Sequence, residues 1–153
     1  MIYVGKDQQD NEAEILRNKA GSARYSRFVE DLGTLVKLSE VDPQIVFLGG
    51  LDQEGVEDGK FTYVWQDDTI RVVFHVATLM PNITSDPKCV NKKRHIGNDN
   101  VIIVYNESGK EYNINTIKVF VDFPFRNVCL ICNWHIKITK IGSIKFSKNV
   151  YYF

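Results

Sequence analysis

What most limits the fold of this chain is a change of apolar period near residue 45. In the first third, Tyr25, Phe28, Val29 and Leu32 recur at helical spacing, with Ser22 placed to cap the helix and Gly33 to stop it. Ahead of them, Asn11 to Asn18 reads as a short helix whose early acidic residues suit the positive end of its dipole. From Ile45 the apolar residues alternate and turn β-branched or aromatic, as strands require. Ile45 to Leu48 reads as a strand ending at Gly49-Gly50, followed by a polar turn punctuated by Gly55 and Gly59. Phe61 to Trp65 and Ile70 to Ala77 flank Gln66-Asp-Asp68 and predict a hairpin, and Val101 to Tyr105 predicts a strand closed by the turn Asn106 to Gly109. Asp86 before Pro87 predicts a helix from about Pro87 toward His95 or Gly97. The expectation is an α/β fold with a mixed central sheet flanked by helices. At 153 residues with 44% hydrophobic content, residues 1–153 suit a single domain able to bury a real core.

A formal charge of zero means that no global field draws the chain to nucleic acid or an anionic membrane, so a partner must be recognised locally. The start is polar, with no signal-peptide pattern, and no apolar run approaches the roughly 18 residues that span a bilayer. Cys89, Cys129 and Cys132 are too few for a disulfide scaffold and fit a reducing compartment. A cytoplasmic location is expected. Charge is uneven along the chain: residues 118–153 hold six basic residues against one acidic, and residues 1–117 hold thirteen against eighteen.

The segment Lys92-Lys-Arg-His-Ile-Gly-Asn-Asp-Asn-Val101 stands out within the chain. On a helix, Arg94 and His95 would lie beside Asn98, so that cationic groups surround one neutral amide. Gly97 costs about 1 kcal/mol relative to alanine inside a helix. Either it ends the helix or its missing side chain lets another surface approach. On spacing alone the segment reads as a solvated basic helix end, with Gly97 as its cap and Asn98 in the turn.

The identities of the residues add a resemblance. Arg94-His-Ile-Gly-Asn-Asp99 followed by the strand to Tyr105 resembles the catalytic segment of Rap-type and tuberin-type GTPase-activating (Rap-GAP) domains. So do Phe47-Leu-Gly-Gly-Leu-Asp52, Glu57-Asp-Gly-Lys-Phe-Thr-Tyr63, Trp65-Gln-Asp-Asp68 and Phe74-His-Val-Ala-Thr-Leu-Met-Pro81. The opening Ile15-Leu-Arg-Asn18, Gly21-Ser22, Tyr25, Phe28 and Leu32-Gly33 fits in the same order, and the likeness covers roughly residues 2–117. The blocks around residues 47–68 look most like tuberin, which points to a Rheb-like GTPase ahead of Rap or Ral.

The resemblance implies that Asn98 is a catalytic thumb offered to the GTP-bound form of a small Ras-like GTPase. Lys92, Lys93, Arg94, His95, Gly97 and Asp99 would bind that partner or support the thumb. It implies no cofactor of the chain's own, because GTP and Mg²⁺ belong to the GTPase. The alternative from another class is a GTPase-binding or scaffold module that has lost catalysis.

Other motifs carry less. His75, in an apolar strand, reads as a packed, hydrogen-bonded histidine. Cys129, Cys132 and His135 form a C-x-x-C-x-x-H string, but a zinc site needs a fourth ligand and usually a turn between the cysteines. Leu130 and Ile131 put this string in an apolar strand, so no metal is expected. There is no P-loop, G-x-G-x-x-G or G-x-S-x-G element, hence no sign of a nucleotide site or serine nucleophile. After Ile117 the resemblance fades into a tail rich in Ile, Phe, Lys, Asn and Tyr that reads as two or three strands. It is either a divergent strand region or sequence foreign to the fold, and in the second case the sheet would lack a native edge.

Overall fold

The computed structural model describes residues 1–118, 127–132 and 135–140. Its strands are β1 (Ile2–Val4), β2 (Thr34–Lys37), β3 (Phe61–Gln66), β4 (Arg71–Phe74), β5 (Val101–Asn106), β6 (Asn127–Cys132) and β7 (His135–Lys140). Its helices are α1 (Glu12–Arg17), α2 (Ala23–Glu30) and α3 (Val90–Asn98), with a short 3-10 turn at Leu38–Glu40.

Four strands form a mixed sheet in the order β1-β5-β6-β7, with β5 parallel to both β1 and β6 and β7 antiparallel to β6. The alternation expected of a strand buried on both faces is visible in β5. Ile102 and Val104 turn to one side, where Ile2, Val4, Ile15, Leu16 and Ile96 join them. Ile103 and Tyr105 turn to the other, against Tyr3, Tyr25, Phe28 and Val29. Thus α1 and α3 cover one face and α2 the other. Ile2, Val4, Leu16, Ile96 and Val104 are wholly buried, each stabilising the fold by about 1.5–3 kcal/mol. At six residues α1 is too short to persist alone, and its Ile15 and Leu16 hold it to the sheet.

The remaining strands form a second, antiparallel sheet, β2-β3-β4, beside the expected mixed one. The predicted hairpin is there, with Tyr63 opposite Phe74 and Gln66 opposite Arg71, although β4 stops at Phe74 and not at Ala77. Ser22 caps α2 as expected, its Oγ accepting from Tyr25 N at 3.1 Å.

Four expectations change. Ile45 to Leu48 is not a strand: Asp42 accepts from Gln44 N through its side chain at 2.9 Å and from Ile45 and Val46 N through its carbonyl. That local turn outcompetes β propensity and leaves Ile45 and Phe47 exposed. Gly33 does not stop α2, which ends at Glu30; a Cβ there would come within 2.5 Å of Val64 O, so glycine lets the chain enter β2 close against β3. The Asp86-Pro87 helix start moves to Val90, because Cys89 is left-handed at φ 52° and breaks the chain direction. Asp86 still serves that start, its Oδ2 accepting from Asn91 N at 2.8 Å. Finally, β1 and β2 went unforeseen, being too short for a period to show.

In the tail, β6 and β7 are an antiparallel pair that continues the mixed sheet beyond β5. Cys129 and Cys132 fall in β6 and His135 opens β7 opposite Cys132, while the side chains of that string lie outside the described residues. No helix among the described residues is long and apolar enough to cross a membrane.

Candidate functional site

Helix α3 carries the conspicuous segment and ends at Asn98, with two residues between it and the first residue of the inner strand β5. Asn98 is exposed, and its carboxamide has no hydrogen bond among the described residues. Almost everything around it is engaged.

The basic residues do not form the open cationic patch that spacing suggested, because each finds a partner within the fold. Lys92 is buried, and its Nζ donates to Leu16 O at 2.9 Å, closing the end of α1. Burial pulls its pKa from 10.5 down to about 8. Lys93 pairs with Glu12 at 3.0 Å, and the other oxygen of Glu12 accepts from Lys118 N at 2.7 Å. Arg94 is half-exposed and reaches Glu57 at 3.3 Å and Asp58 at 3.7 Å. His95 is buried and donates from Nε2 to Asp58 Oδ1 at 2.8 Å. Its burial lowers the imidazole pKa, and the Asp58 carboxylate opposes that only in part. Gly97 is buried within the last turn, so α3 runs through it and does not end there.

Lys92, His95 and Gly97 are buried in the fold. Arg94 and Asn98 present themselves to solvent, with Lys93 and Asp99 partly covered.

Three carboxylates that the sequence did not single out organise the support. Asp58 has a fully buried side chain, and besides His95 it accepts from Asn91 Nδ2 at 3.0 Å and from Asp52 N at 2.8 Å. Asp52 answers by accepting from the backbone N–H groups of Gly55, Glu57 and Asp58. Burial works against the ionised Asp52, but those N–H donors outweigh it and hold its pKa below the usual value. The loop from Asp52 to Asp58 is thereby a rigid acidic brace under α3. Glu12 braces the helix from the other side. The sequence signal was there, as acidic residues in a glycine-punctuated loop, but their direction toward α3 is a tertiary fact. His75, expected to be packed and hydrogen-bonded, is both: it meets Asp99 Oδ1 through Nδ1 at 2.8 Å and Leu48 O through Nε2 at 3.3 Å. Among the described residues no group of three or more His, Cys, Asp or Glu is arranged to hold a metal ion.

This geometry has relatives. The family model described as Rap/ran-GAP matches residues 15–144, and so extends past Ile117 through β6 and β7. The chain is 48% identical over 131 residues to the tuberous sclerosis 2 protein homolog of Schizosaccharomyces pombe, a match covering 85% of this chain and 9% of that protein. It is 34% identical over 152 residues to the Ral GTPase-activating protein subunit alpha-2 of Mus musculus, covering 95% of this chain and 8% of the relative. The chain thus spans less than a tenth of the length of either. Among solved structures, that of the TSC2 GAP domain superposes with a TM-score of 0.78 at 36% identity, covering 91% of this chain and 77% of that one. With the family model matching most of the chain, and relatives and fold agreeing with it, this chain belongs to the Rap/ran-GAP family.

Proposed function

We propose that this chain accelerates GTP hydrolysis on a small Ras-like GTPase by inserting the Asn98 side chain into the partner's nucleotide site, with a Rheb-like GTPase as its preferred substrate in the cytoplasm. The observation that carries the reading is the contrast at the end of α3, where an exposed carboxamide with no partner among the described residues sits on a helix whose Asn91, Lys92 and His95 are bonded inward.

The chemistry needs no nucleotide site in this chain. The GTPase brings GTP and Mg²⁺, so the activator has only to orient the attacking water and stabilise charge spreading over the transferred phosphoryl group. A carboxamide suits both tasks. Its oxygen accepts from the water and its nitrogen donates toward a phosphate oxygen. Arg94, exposed one turn before Asn98, adds positive charge on the approaching surface. Other activators insert an arginine, and that group is worth about 10³ to 10⁵ in rate. The preference for a Rheb-like partner is supported by the tuberin-like blocks Phe47 to Asp52 and Glu57 to Tyr63, and by the identity with the fission-yeast tuberous sclerosis 2 homolog.

Single-turnover hydrolysis measured on Rheb, Rap and Ral proteins tests this. The expected result is acceleration of all or some of them, greatest for Rheb. GTP-dependent capture of a GTPase with no acceleration of any would replace the proposal with a binding module.

A further inference from the structure

Asn98 is the final residue of α3, so whatever fixes the chain just beyond it fixes the direction of its side chain. Asp99 follows with extended backbone, φ −66° and ψ 139°. Nothing in the helix hydrogen-bond ladder determines that exit, since the last carbonyls of a helix have no partner within it. Its side chain does so instead, through the 2.8 Å bond from His75 Nδ1. A bond to a carboxylate is of the stronger, charge-assisted kind.

His75 is itself immobilised. It follows β4 directly, is 8% exposed, and packs on its far side with Nε2 3.3 Å from Leu48 O. The turn holding that carbonyl is shaped to the ring. Gly49 has φ +67°, and a Cβ there would lie 2.5 Å from His75 Nε2, so backbone conformation and space both demand glycine. The His95 ring meets the His75 ring edge-on, with centroids 5.0 Å apart and planes at 63°. His95 is in turn fixed by Asp58. Two histidine–aspartate pairs thus meet beneath the end of α3, one holding the helix before Asn98 and the other holding the chain after it.

We propose that His75, acting through Asp99, is a positioning residue for Asn98: the pair sets the angle at which the carboxamide leaves the domain and so governs the chemical step and not the affinity for the GTPase. This rests on Asn98 being the inserted group. His75 is buried and does not touch the partner; its contribution is geometric. A displacement of about 1 Å at a reacting group can cost on the order of 10²-fold in rate without loss of binding.

The test uses this chain with whichever GTP-loaded GTPase it accelerates most. Variants His75→Ala, Asp99→Ala and Asp99→Asn are compared with Asn98→Ala for kcat, for KM, and for binding to the GTPase loaded with a non-hydrolysable GTP analogue. Both alanine variants should lower kcat by about 10- to 100-fold at unchanged KM and affinity, and Asp99→Asn, which keeps an oxygen acceptor, should recover most of that loss. Asp99 is at the surface edge, so its alanine variant remains informative even where His75→Ala unfolds. A kcat for Asp99→Ala within about twofold of the parent, or a loss that falls on KM or tracks the folded fraction, would overturn the proposal. The two readings separate cleanly. Wild-type rates for Asn98→Ala defeat the thumb itself, whereas a dead Asn98→Ala beside a fully active Asp99→Ala defeats only the positioning role.

Discussion

Within α3, the inward face and the exposed tip obey opposite rules. Inward, Lys92, His95 and Asn91 carry polar groups into the protein, and each is matched to a carbonyl or a carboxylate. At the tip, Asn98 carries the same kind of group and no described residue matches it. A buried polar group without a partner costs about 1–3 kcal/mol, so the inward pairs are what folding demands. An exposed amide meets water and costs nothing, so folding makes no demand at Asn98. Its presence on a braced helix is therefore informative about function in a way that His95 or Lys92 is not.

That difference can be broken from the inward side, and Asp58→Ala should do so most severely. It removes the acceptor shared by His95, Asn91 and Asp52 N, leaving buried donors unpaired. A loss of about 3 kcal/mol is expected in denaturant unfolding, with stimulated hydrolysis falling alongside because the brace under α3 goes with it.

Acidification sharpens the same contrast. Burial holds the His95 pKa below the ordinary 6.5, so as pH falls through 6.5 the unfolded chain takes up a proton that the folded one resists. The melting temperature should therefore drop below about pH 6.5, and His95→Gln should flatten that part of the profile.

At the alkaline end the sign is the same. Lys92, lowered from 10.5 to about 8, loses its proton earlier in the folded state, so the unfolded chain binds more protons across that interval and stability should rise with pH there. The rise is readable only to about pH 10, above which Tyr25, raised from 10 to about 12, begins to favour unfolding. Lys92→Met should remove the rise.

The smallest effect belongs to the half-exposed Arg94 pairs. Arg94→Ala should cost less than about 1 kcal/mol in stability. If Arg94 approaches the GTPase, the same variant slows association and weakens its salt dependence, which stopped-flow mixing at two ionic strengths would show.

How legible this was in the sequence follows the same divide. Local chemistry was readable: Ser22 as a cap, the hairpin around Gln66 to Asp68, and β5 and its closing turn. The likeness to Rap-type and tuberin-type domains was legible in the residues themselves, and the family match agrees with it. What could not be read were facts of long-range placement. Ile45 to Leu48 has strand composition but pairs with no strand among the described residues, and a single aspartate turns it. Cys89 breaks the helix that Pro87 seemed to begin, through a left-handed backbone that no side chain announces. Lys92 and His95 look, in one dimension, like members of a basic cluster; Leu16 O and Asp58, 76 and 37 residues away, make them interior residues. Residue type singled out the segment, and the third dimension divides it into a buried part and an exposed tip.

The division is tested most directly by replacing the tip alone. Asn98→Ala should melt within about 0.5 kcal/mol of the parent, since an exposed side chain without a described partner contributes little to the fold. It should still bind the GTPase loaded with a non-hydrolysable GTP analogue, while stimulated single-turnover hydrolysis falls to the GTPase's own intrinsic rate. Hydrolysis at the parental rate by a folded Asn98→Ala variant would contradict the account.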